Sequence, residues 1–210
     1  MNKSEFLKLT QDYDHLIFDF GGIFININYQ NTIDKMNYIC KSNKASELYG
    51  QHAQISIFSD LERGKISESE FLSQLNNLLG LHNKESELKL AWNSMLFDIP
   101  SERIEFLKEL KKNNKLYLLS NINEIHEKHI STLDNTEEFY SQFDKIYFSH
   151  HLGMRKPDSE IFNHVLDDLK IKASDAFFID DSIGHVNAAK DLGIQSVLLH
   201  KQNEFLTSNL

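Results

Sequence analysis

Five short runs of clustered apolar residues, rich in β-branched and aromatic side chains, punctuate the chain: His15–Phe20, Leu116–Leu119, Lys145–Phe148, Ala176–Ile179 and Gln195–Leu199. Their length and near-continuous apolarity predict strands buried on both faces. Between most of them the apolar residues change to a three- and four-residue spacing. Ile104, Leu107 and Leu110 form one such set, and Ile161, Phe162, Val165, Leu166 and Leu169 a second; Val186, Ala189 and Leu192 form a third, ahead of Gly193 as a helix stop. Strands alternating with helices predict an α/β fold, a parallel five-stranded sheet with helices on both faces. In open sheets of that kind ligands bind beyond the carboxyl ends of the strands. Residues just after each run are therefore the ones to read for chemistry: Asp19 to Gly22, Ser120 and Asn121, and Asp180 and Asp181.

Residues 31–97 break the alternation, since they carry helical patterns and no convincing strand. Ser67 and Glu70 stand at capping-box spacing before Phe71, Leu72 and Leu75. The segment is far longer than the ~2–6 residues of an ordinary connection, so it reads as an inserted all-helical cap. Residues 1–30 and 98–210 then form the core. Pro100 and Pro157 each mark a boundary where a helix begins.

Composition narrows the function. The 210 residues are 40% hydrophobic and 25% charged, as in a globular protein with one core domain and an insertion. No run reaches the ~18 apolar residues of a membrane span, and the start lacks a secretory pattern, so a cytoplasmic monomer is expected. Cys40 is the only cysteine, which removes an internal disulfide and a thiolate metal site. A net charge of −9 argues against nucleic acid as a partner, because phosphate-backbone binders need clustered Lys and Arg. An anionic substrate would need a local positive centre, either a divalent cation or a placed lysine.

The strand ends supply candidates for that chemistry. Asp19 is followed by Gly21 and Gly22, and the glycines let the backbone turn and approach a ligand closely, which makes Asp19 a candidate nucleophile. Ser120 and Asn121 bring hydrogen-bond donors without negative charge, although Ser-Asn after a strand also serves as a helix cap. Lys156 precedes Pro157 at the start of a helix. Asp180 and Asp181 are adjacent carboxylates that repel unless a cation or a solvated turn accommodates them, and Mg²⁺ suits such a pair. His126 and His129 share a helix face, and His150 and His151 are adjacent, but no further ligand joins either pair, so no zinc site is expected. Phe58, Trp92 and Phe97 are expected in the core of the cap. His52 and Arg63 are possible substrate contacts, with a solvated helix face as the preferred reading.

Taken together, Asp19, Ser120, Lys156 and Asp180-Asp181 resemble, in order and position, the four motifs of the haloacid dehalogenase superfamily. The resemblance covers nearly the whole chain and implies a Rossmann-like core. The stretches Leu61–Ser67, Gly153–Pro157 and Phe178–Asp181 are similar to a bacterial subgroup that includes an α-glucose-1-phosphate phosphatase. The resemblance implies a Mg²⁺-dependent phosphatase of a small phosphorylated metabolite, in which Asp19 becomes an aspartyl-phosphate. Ser120 and Asn121 would hold the transferring group, and Lys156 would neutralise charge. Asp19, the Gly21 carbonyl, Asp181 and Asp180, directly or through water, would hold the metal. Two positions depart from the family pattern. Gly21 stands where most phosphatases of the superfamily have the aspartate that serves as general acid and base, a group worth about 10² to 10⁴ in rate. A leaving oxygen that needs less help, as in a sugar 1-phosphate, is the expected compensation. His185 replaces a usual Asn or Asp near the metal site. The alternatives are a dehalogenase acting on carbon without metal, and a non-catalytic phosphate-binding module.

Overall fold

The computed structural model describes residues 3–49 and 55–199. In chain order the elements are α1 (Lys3–Thr10), β1 (His15–Phe18), α2 (Tyr29–Cys40), α3 (Lys44–Leu48), α4 (Ser56–Glu62), α5 (Glu68–Leu78), α6 (Glu85–Asn93) and α7 (Ser101–Leu110). They continue through β2 (Lys115–Ser120), α8 (Glu124–Ile130), α9 (Thr136–Tyr140), β3 (Lys145–Phe148), α10 (Ser149–Leu152), α11 (Ser159–Leu169), β4 (Ala176–Asp180), α12 (Ile183–Asp191) and β5 (Gln195–Leu198). All five expected strands are present, within one or two residues of their expected ends. They form one parallel sheet in the order β3-β2-β1-β4-β5, the Rossmann-like arrangement.

Alternation along each strand divides the core in two. Leu16, Phe18, Leu116, Leu118, Phe177 and Ile179 face one side, where they pack with Phe6, Ile104, Leu107 and Phe139. Ile17, Tyr117, Leu119, Ala176 and Phe178 face the other, against Ile161, Phe162 and Val165 of α11 and Ala189 of α12. Helices therefore cover both faces, which is why the strands read as continuous apolar runs. The helix stop at Gly193 has φ +83°, a conformation that glycine adopts without a Cβ penalty.

Helices α2–α6 lie between β1 and β2 and gather around a third cluster that includes Met36, Phe58, Leu61, Phe71, Leu75, Leu88 and Trp92. The predicted capping box opens α5, with Ser67 Oγ accepting from the Glu70 N–H and the Glu70 side chain accepting from the Ser67 N–H. Pro100 immediately precedes α7, and Pro157 stands two residues before α11. Phe58 and Trp92 are buried as expected, but Phe97 is not: its side chain is 44% exposed. Ile27 and Leu96 form a short antiparallel bridge, and the Phe97 N–H donates to the Asn26 carbonyl. Alternation along that extended segment sends Leu96 inward and Phe97 to solvent. Among the described residues no helix is long and apolar enough to cross a membrane.

Candidate active site

β1 is the central strand, and its register pairs Phe18 with Leu118 of β2 and Ile179 of β4. Asp19 thus ends level with Asp180, and Ser120 stands one residue beyond. The Asp19 N–H donates to the Ile179 carbonyl at 2.8 Å, which prolongs the ladder and aims the next residues off the sheet end.

Lys156 arrives from the loop before α11 and is fully buried. Its ammonium donates three hydrogen bonds, each of 2.7 Å, to Asp19 Oδ1, Asp180 Oδ2 and the Leu119 carbonyl. Burial alone would lower this lysine's pKa, but the charges of Asp180 and Asp19 outweigh it and hold the group above its ordinary value. A buried cation is stable only when all its protons find acceptors, and here they do. Asn121 fixes the loop: its side chain accepts from the Lys156 N–H at 2.9 Å and donates to the Lys156 carbonyl at 2.8 Å. That amide is therefore engaged with main chain. The Ser120 hydroxyl has no protein partner among the described residues and lines the cavity described below.

Asp180 and Asp181 differ sharply. Asp180 is fully buried, accepting from Lys156, from the Ser182 N–H at 2.7 Å, and from His185 Nδ1 at 3.0 Å to both oxygens. Burial acts to raise its pKa, but Lys156 and His185 together hold it below the usual carboxylate range. Asp181 has no such partners among the described residues and is exposed, yet partial desolvation beside the sheet end, and then the charges of Asp19 and Asp180, push it up to about 7. Asp19 is also raised, by burial first and by Asp180, against the opposing pull of Lys156. Oxygens of all three carboxylates lie within 4.8 Å of one another. Three acids around one lysine leave negative charge over, and an all-oxygen donor set of this kind fits a hard divalent cation.

Both glycines after Asp19 stand in close contacts, and Gly22 is also held by its backbone. Gly22 has φ +74°, and a Cβ there would fall 2.2 Å from Asp181 Oδ2. A Cβ on Gly21 would fall 2.6 Å from Ile27 Cδ1. A side chain at position 21 would therefore have to turn the terminal methyl of Ile27 aside.

Gly21, Ile27, Ser120 and Asn121 line a cavity of about 60 Å³ whose walls also include Tyr29, Tyr49, Glu62 and Trp92. The volume admits a few waters, and the cavity opens beside the strand end that carries Asp19. Glu62 ends α4 and is the one carboxylic acid on that wall. Burial raises its pKa despite Arg155, His185, Arg63 and Lys156. Arg155 Nη2 lies 2.9 Å from Glu62 Oε2, close enough to pair but not aligned for a hydrogen bond. The neighbouring Arg63 pairs with Asp158. Two ion pairs thus join the end of α4 to the loop that carries Lys156. Arg63 is not on a solvated face, and its side chain is only 19% exposed. His52 lies outside the described residues. Sequence reasoning quoted Leu61–Ser67 and Gly153–Pro157 only as family signatures and missed that Glu62 and Arg155 meet. Tyr29 is a further such residue: burial and the charges of Asp181, Asp19, Glu62 and Asp180 hold its hydroxyl well above its ordinary value.

The histidine pairs part ways. His126 is buried and stacked on Trp92, with ring centroids 4.8 Å apart. Its Nε2–H donates to the Trp92 carbonyl at 3.2 Å and its Nδ1 accepts from the Asn123 amide at 3.1 Å, so both nitrogens are taken. Burial pushes its pKa down to about 3, and it serves as a neutral wedge between α6 and α8. His150 and His151 instead converge on Glu127.

Comparison with known proteins agrees with this geometry. Residues 16–199 match the family described as haloacid dehalogenase-like hydrolase. The D-ribitol-5-phosphate phosphatase of Bacteroides thetaiotaomicron is 30% identical over 189 residues, 87% of this chain and 89% of its own. A sesquiterpene phosphatase of Aspergillus oryzae is 27% identical over 91% of each chain. A crystal structure of a variant HAD family enzyme from B. thetaiotaomicron, in complex with magnesium and inorganic phosphate, superposes with a TM-score of 0.84 at 32% identity. It covers 90% of this chain and 95% of its own. The chain is an enzyme of the haloacid dehalogenase-like hydrolase family.

Proposed function

We propose that this chain is a Mg²⁺-dependent phosphomonoesterase of a small sugar or polyol phosphate, working through a phosphoenzyme on Asp19. The observation that carries the reading is the convergence of Asp19, Lys156, Asp180 and Asp181 at the carboxyl ends of adjacent strands. The relatives that hydrolyse phosphate esters, and the related structure holding magnesium and phosphate, support it. Asp19, Asp181 and the Gly21 carbonyl would hold Mg²⁺, with Asp180 bearing on it through water, since Asp180 is already engaged by Lys156, Ser182 and His185. When bound, the ion neutralises charge on the transferring phosphoryl group.

The protein's own groups divide the remaining work. Lys156 occupies Asp19 Oδ1, which leaves Oδ2 as the attacking oxygen. As the new P–O bond forms, the ester P–O bond breaks and the leaving oxygen needs a proton. Glu62 supplies it: the group is the acid on the cavity wall, and burial raises its pKa against the pull of Arg155. The resulting carboxylate then takes a proton from the water that cleaves the aspartyl-phosphate. The Ser120 hydroxyl donates to a phosphoryl oxygen, and Asn121 acts by positioning Lys156. Helices α2–α6, residues 31–97 in round terms, serve as a cap that closes over the substrate and brings Glu62 with it.

Two ester classes follow from this scheme. A sugar 1-phosphate has a leaving oxygen acidic enough to depart unaided, which suits Gly21. A primary polyol ester, such as the substrate named for the ribitol phosphate relative, needs the acid, and Glu62 favours that class. The dehalogenase alternative gives the three-carboxylate cluster no cation, and the binding-module alternative gives the Lys156 triad no task. Phosphate release from polyol 5-phosphates, sugar 6-phosphates and sugar 1-phosphates decides among these, assayed with Mg²⁺, with chelator and in Asp19→Asn. Turnover that survives both chelation and Asp19→Asn would sink the mechanism. A Glu62→Gln loss on 6-phosphates but not 1-phosphates supports Glu62 as the acid.

A further inference from the structure

Away from the strand ends, α8 and α10 bring together three side chains that the hydrolytic chemistry does not use. His150 Nε2 lies 2.8 Å from Glu127 Oε2, and His151 Nε2 lies 3.1 Å from the same oxygen. The three ligand atoms lie within 4.8 Å of one another. His150 Nδ1 is 3.0 Å from the Ile122 carbonyl. A carbonyl oxygen can only accept, so Nδ1 carries a proton. Nε2 then meets the carboxylate at 2.8 Å with a second proton, as an imidazolium, or with a shared cation in its place. A histidine that donates Nδ1–H to a main-chain carbonyl while offering Nε2 is also the usual posture of a metal-binding imidazole.

We propose that Glu127, His150 and His151 form a site for a divalent transition metal of the zinc class, with a solvent-facing position left open. Tetrahedral zinc with bonds of about 2.0–2.1 Å holds its ligand atoms about 3.3 Å apart, close to the 2.8 and 3.1 Å from Glu127 Oε2 to the two imidazoles. The groups are already graded for access: His150 is 6% exposed, Glu127 31% and His151 57%. His150 and His151 also line a cleft of about 390 Å³ with Leu61, Gly64, Ser67 and Glu124, which gives an ion an entry path and room for its waters. The ligand set of two imidazoles and a carboxylate selects for zinc, cobalt or nickel over magnesium.

Binding here would brace the catalytic strand end. Ser149 Oγ accepts from the Ile122 N–H at 3.0 Å and donates to the Ile122 carbonyl at 2.9 Å, beside the His150 contact to that carbonyl. Ile122 follows Ser120 and Asn121 directly, so an ion that clamps α10 to α8 stiffens the loop carrying them. The effect is on stability and on the mobility of that loop, and the site is independent of the Asp19 chemistry.

The test uses the full chain, stripped of metal and then saturated with Mg²⁺ so that the carboxylate site is filled. It is titrated with Zn²⁺ by calorimetry and with Co²⁺ by visible absorption. One Zn²⁺ per chain is expected, with the intense absorption of four-coordinate cobalt and paramagnetically shifted imidazole N–H resonances. Glu127→Gln and His151→Ala, both at solvent-accessible side chains, should each weaken Zn²⁺ by about tenfold or more while Asp181→Asn leaves it unchanged. The melting temperature should rise with Zn²⁺ in the parent chain and in Asp181→Asn but not in the other two. Absence of a histidine signature would overturn the proposal, as would zinc binding lost in Asp181→Asn but kept in Glu127→Gln. The cluster would then be an ordinary imidazolium–carboxylate pair.

Discussion

Replacing Lys156 by methionine keeps an unbranched side chain one atom shorter and removes its charge, which tests what the buried triad contributes. In the parent chain the ammonium is fully buried and donates to Asp19, Asp180 and Leu119. Without it, Asp180 at 0% and Asp19 at 7% exposure face one another with only His185 left beside Asp180, and the Leu119 carbonyl loses its donor. Breaking a buried pair by removing one partner costs about 3–5 kcal/mol. For a chain of this size each kcal/mol moves the melting temperature by about 2–4 °C, so a fall of roughly 6–20 °C is expected in chelator at pH 7.5. The pH dependence has a definite sign. In the parent, Lys156 is raised, so its contribution is complete below its unfolded pKa and fades only as pH rises through the folded value. Asp180 is lowered, so its contribution holds above its unfolded value of 3.8 and is lost as pH falls through the folded value. In Lys156→Met both carboxylates are raised instead, so protonation relieves the repulsion. The stability gap should therefore narrow between pH 7.5 and pH 5, and Mg²⁺ should narrow it further at pH 7.5. Chemical denaturation at both pH values, with and without Mg²⁺, measures this. A variant within about 1 kcal/mol of the parent at pH 7.5 in chelator would refute the reasoning, because it would mean that desolvating the lysine cancels its attraction to the two acids. Phosphatase activity should fall by about 10²–10³ or more in the same variant.

Three further outcomes follow from the site. Gly22→Ala must hold a left-handed φ of +74° with its Cβ 2.2 Å from Asp181 Oδ2. It should lose about 1–2 kcal/mol from conformation alone and weaken Mg²⁺ about tenfold or more, read by denaturation and calorimetry. Because Asp181 titrates near 7 in the metal-free site, proton and cation compete for it. Mg²⁺ affinity should rise from pH 5.5 to pH 8 and then level off; an affinity flat across that range would remove Asp181 as a ligand. Gly64→Ala sets a Cβ 2.3 Å from the His150 carbonyl at a φ of +63°, where α4 meets α10. Substrate KM should rise more than kcat falls, with the fold retained by circular dichroism, as α4 is pushed away from α10.

The core was legible from sequence because strands buried on both faces leave a signal that survives without context. His15–Phe18 and Ala176–Asp180 are continuous apolar runs, and a chemical group must follow where such a run stops at an open sheet end. Asp19, Ser120, Asp180 and Asp181 were found that way. The roles within the set were not legible, since Asp180 and Asp181 look alike until His185, Ser182 and Lys156 are seen to claim the first. Asn121 reads from sequence as a phosphate donor, and the fold adds a contact that sequence does not show, its amide bridging to the main chain of Lys156. Phe97 shows the opposite limit, because helical spacing put it in the core while a short bridge between Ile27 and Leu96 set the alternation that turned it outward. Glu127 escaped notice because its contact with His150 spans 23 residues and two helices. Such convergence has no local signature.

The acid missing at position 21 connects these limits to the chemistry. From sequence, Gly21 is an absence, and an absence invites compensation in the substrate. In the folded chain the position is occupied, since Ile27 Cδ1 stands 2.6 Å from where the Cβ would be. Gly21→Asp alone should therefore not restore an acid but displace Ile27 and disturb the cavity wall that includes Tyr29 and Glu62. Pairing it with Ile27→Ala opens the space. If Glu62 is the proton donor, Glu62→Gln on the parent background should lower turnover of an unactivated ester by about 10²–10⁴, and adding Gly21→Asp with Ile27→Ala should recover part of it. Full activity of Glu62→Gln on every ester would move the burden back to the leaving group, and the chain would be an enzyme selected for substrates that depart unaided. Position and charge pull in opposite directions here: the Arg155–Glu62 and Arg63–Asp158 pairs join the end of α4 to the loop of Lys156 and set the carboxyl beside the site, while the surrounding cations oppose the protonated state that burial favours, so the Glu62→Gln assay decides between them.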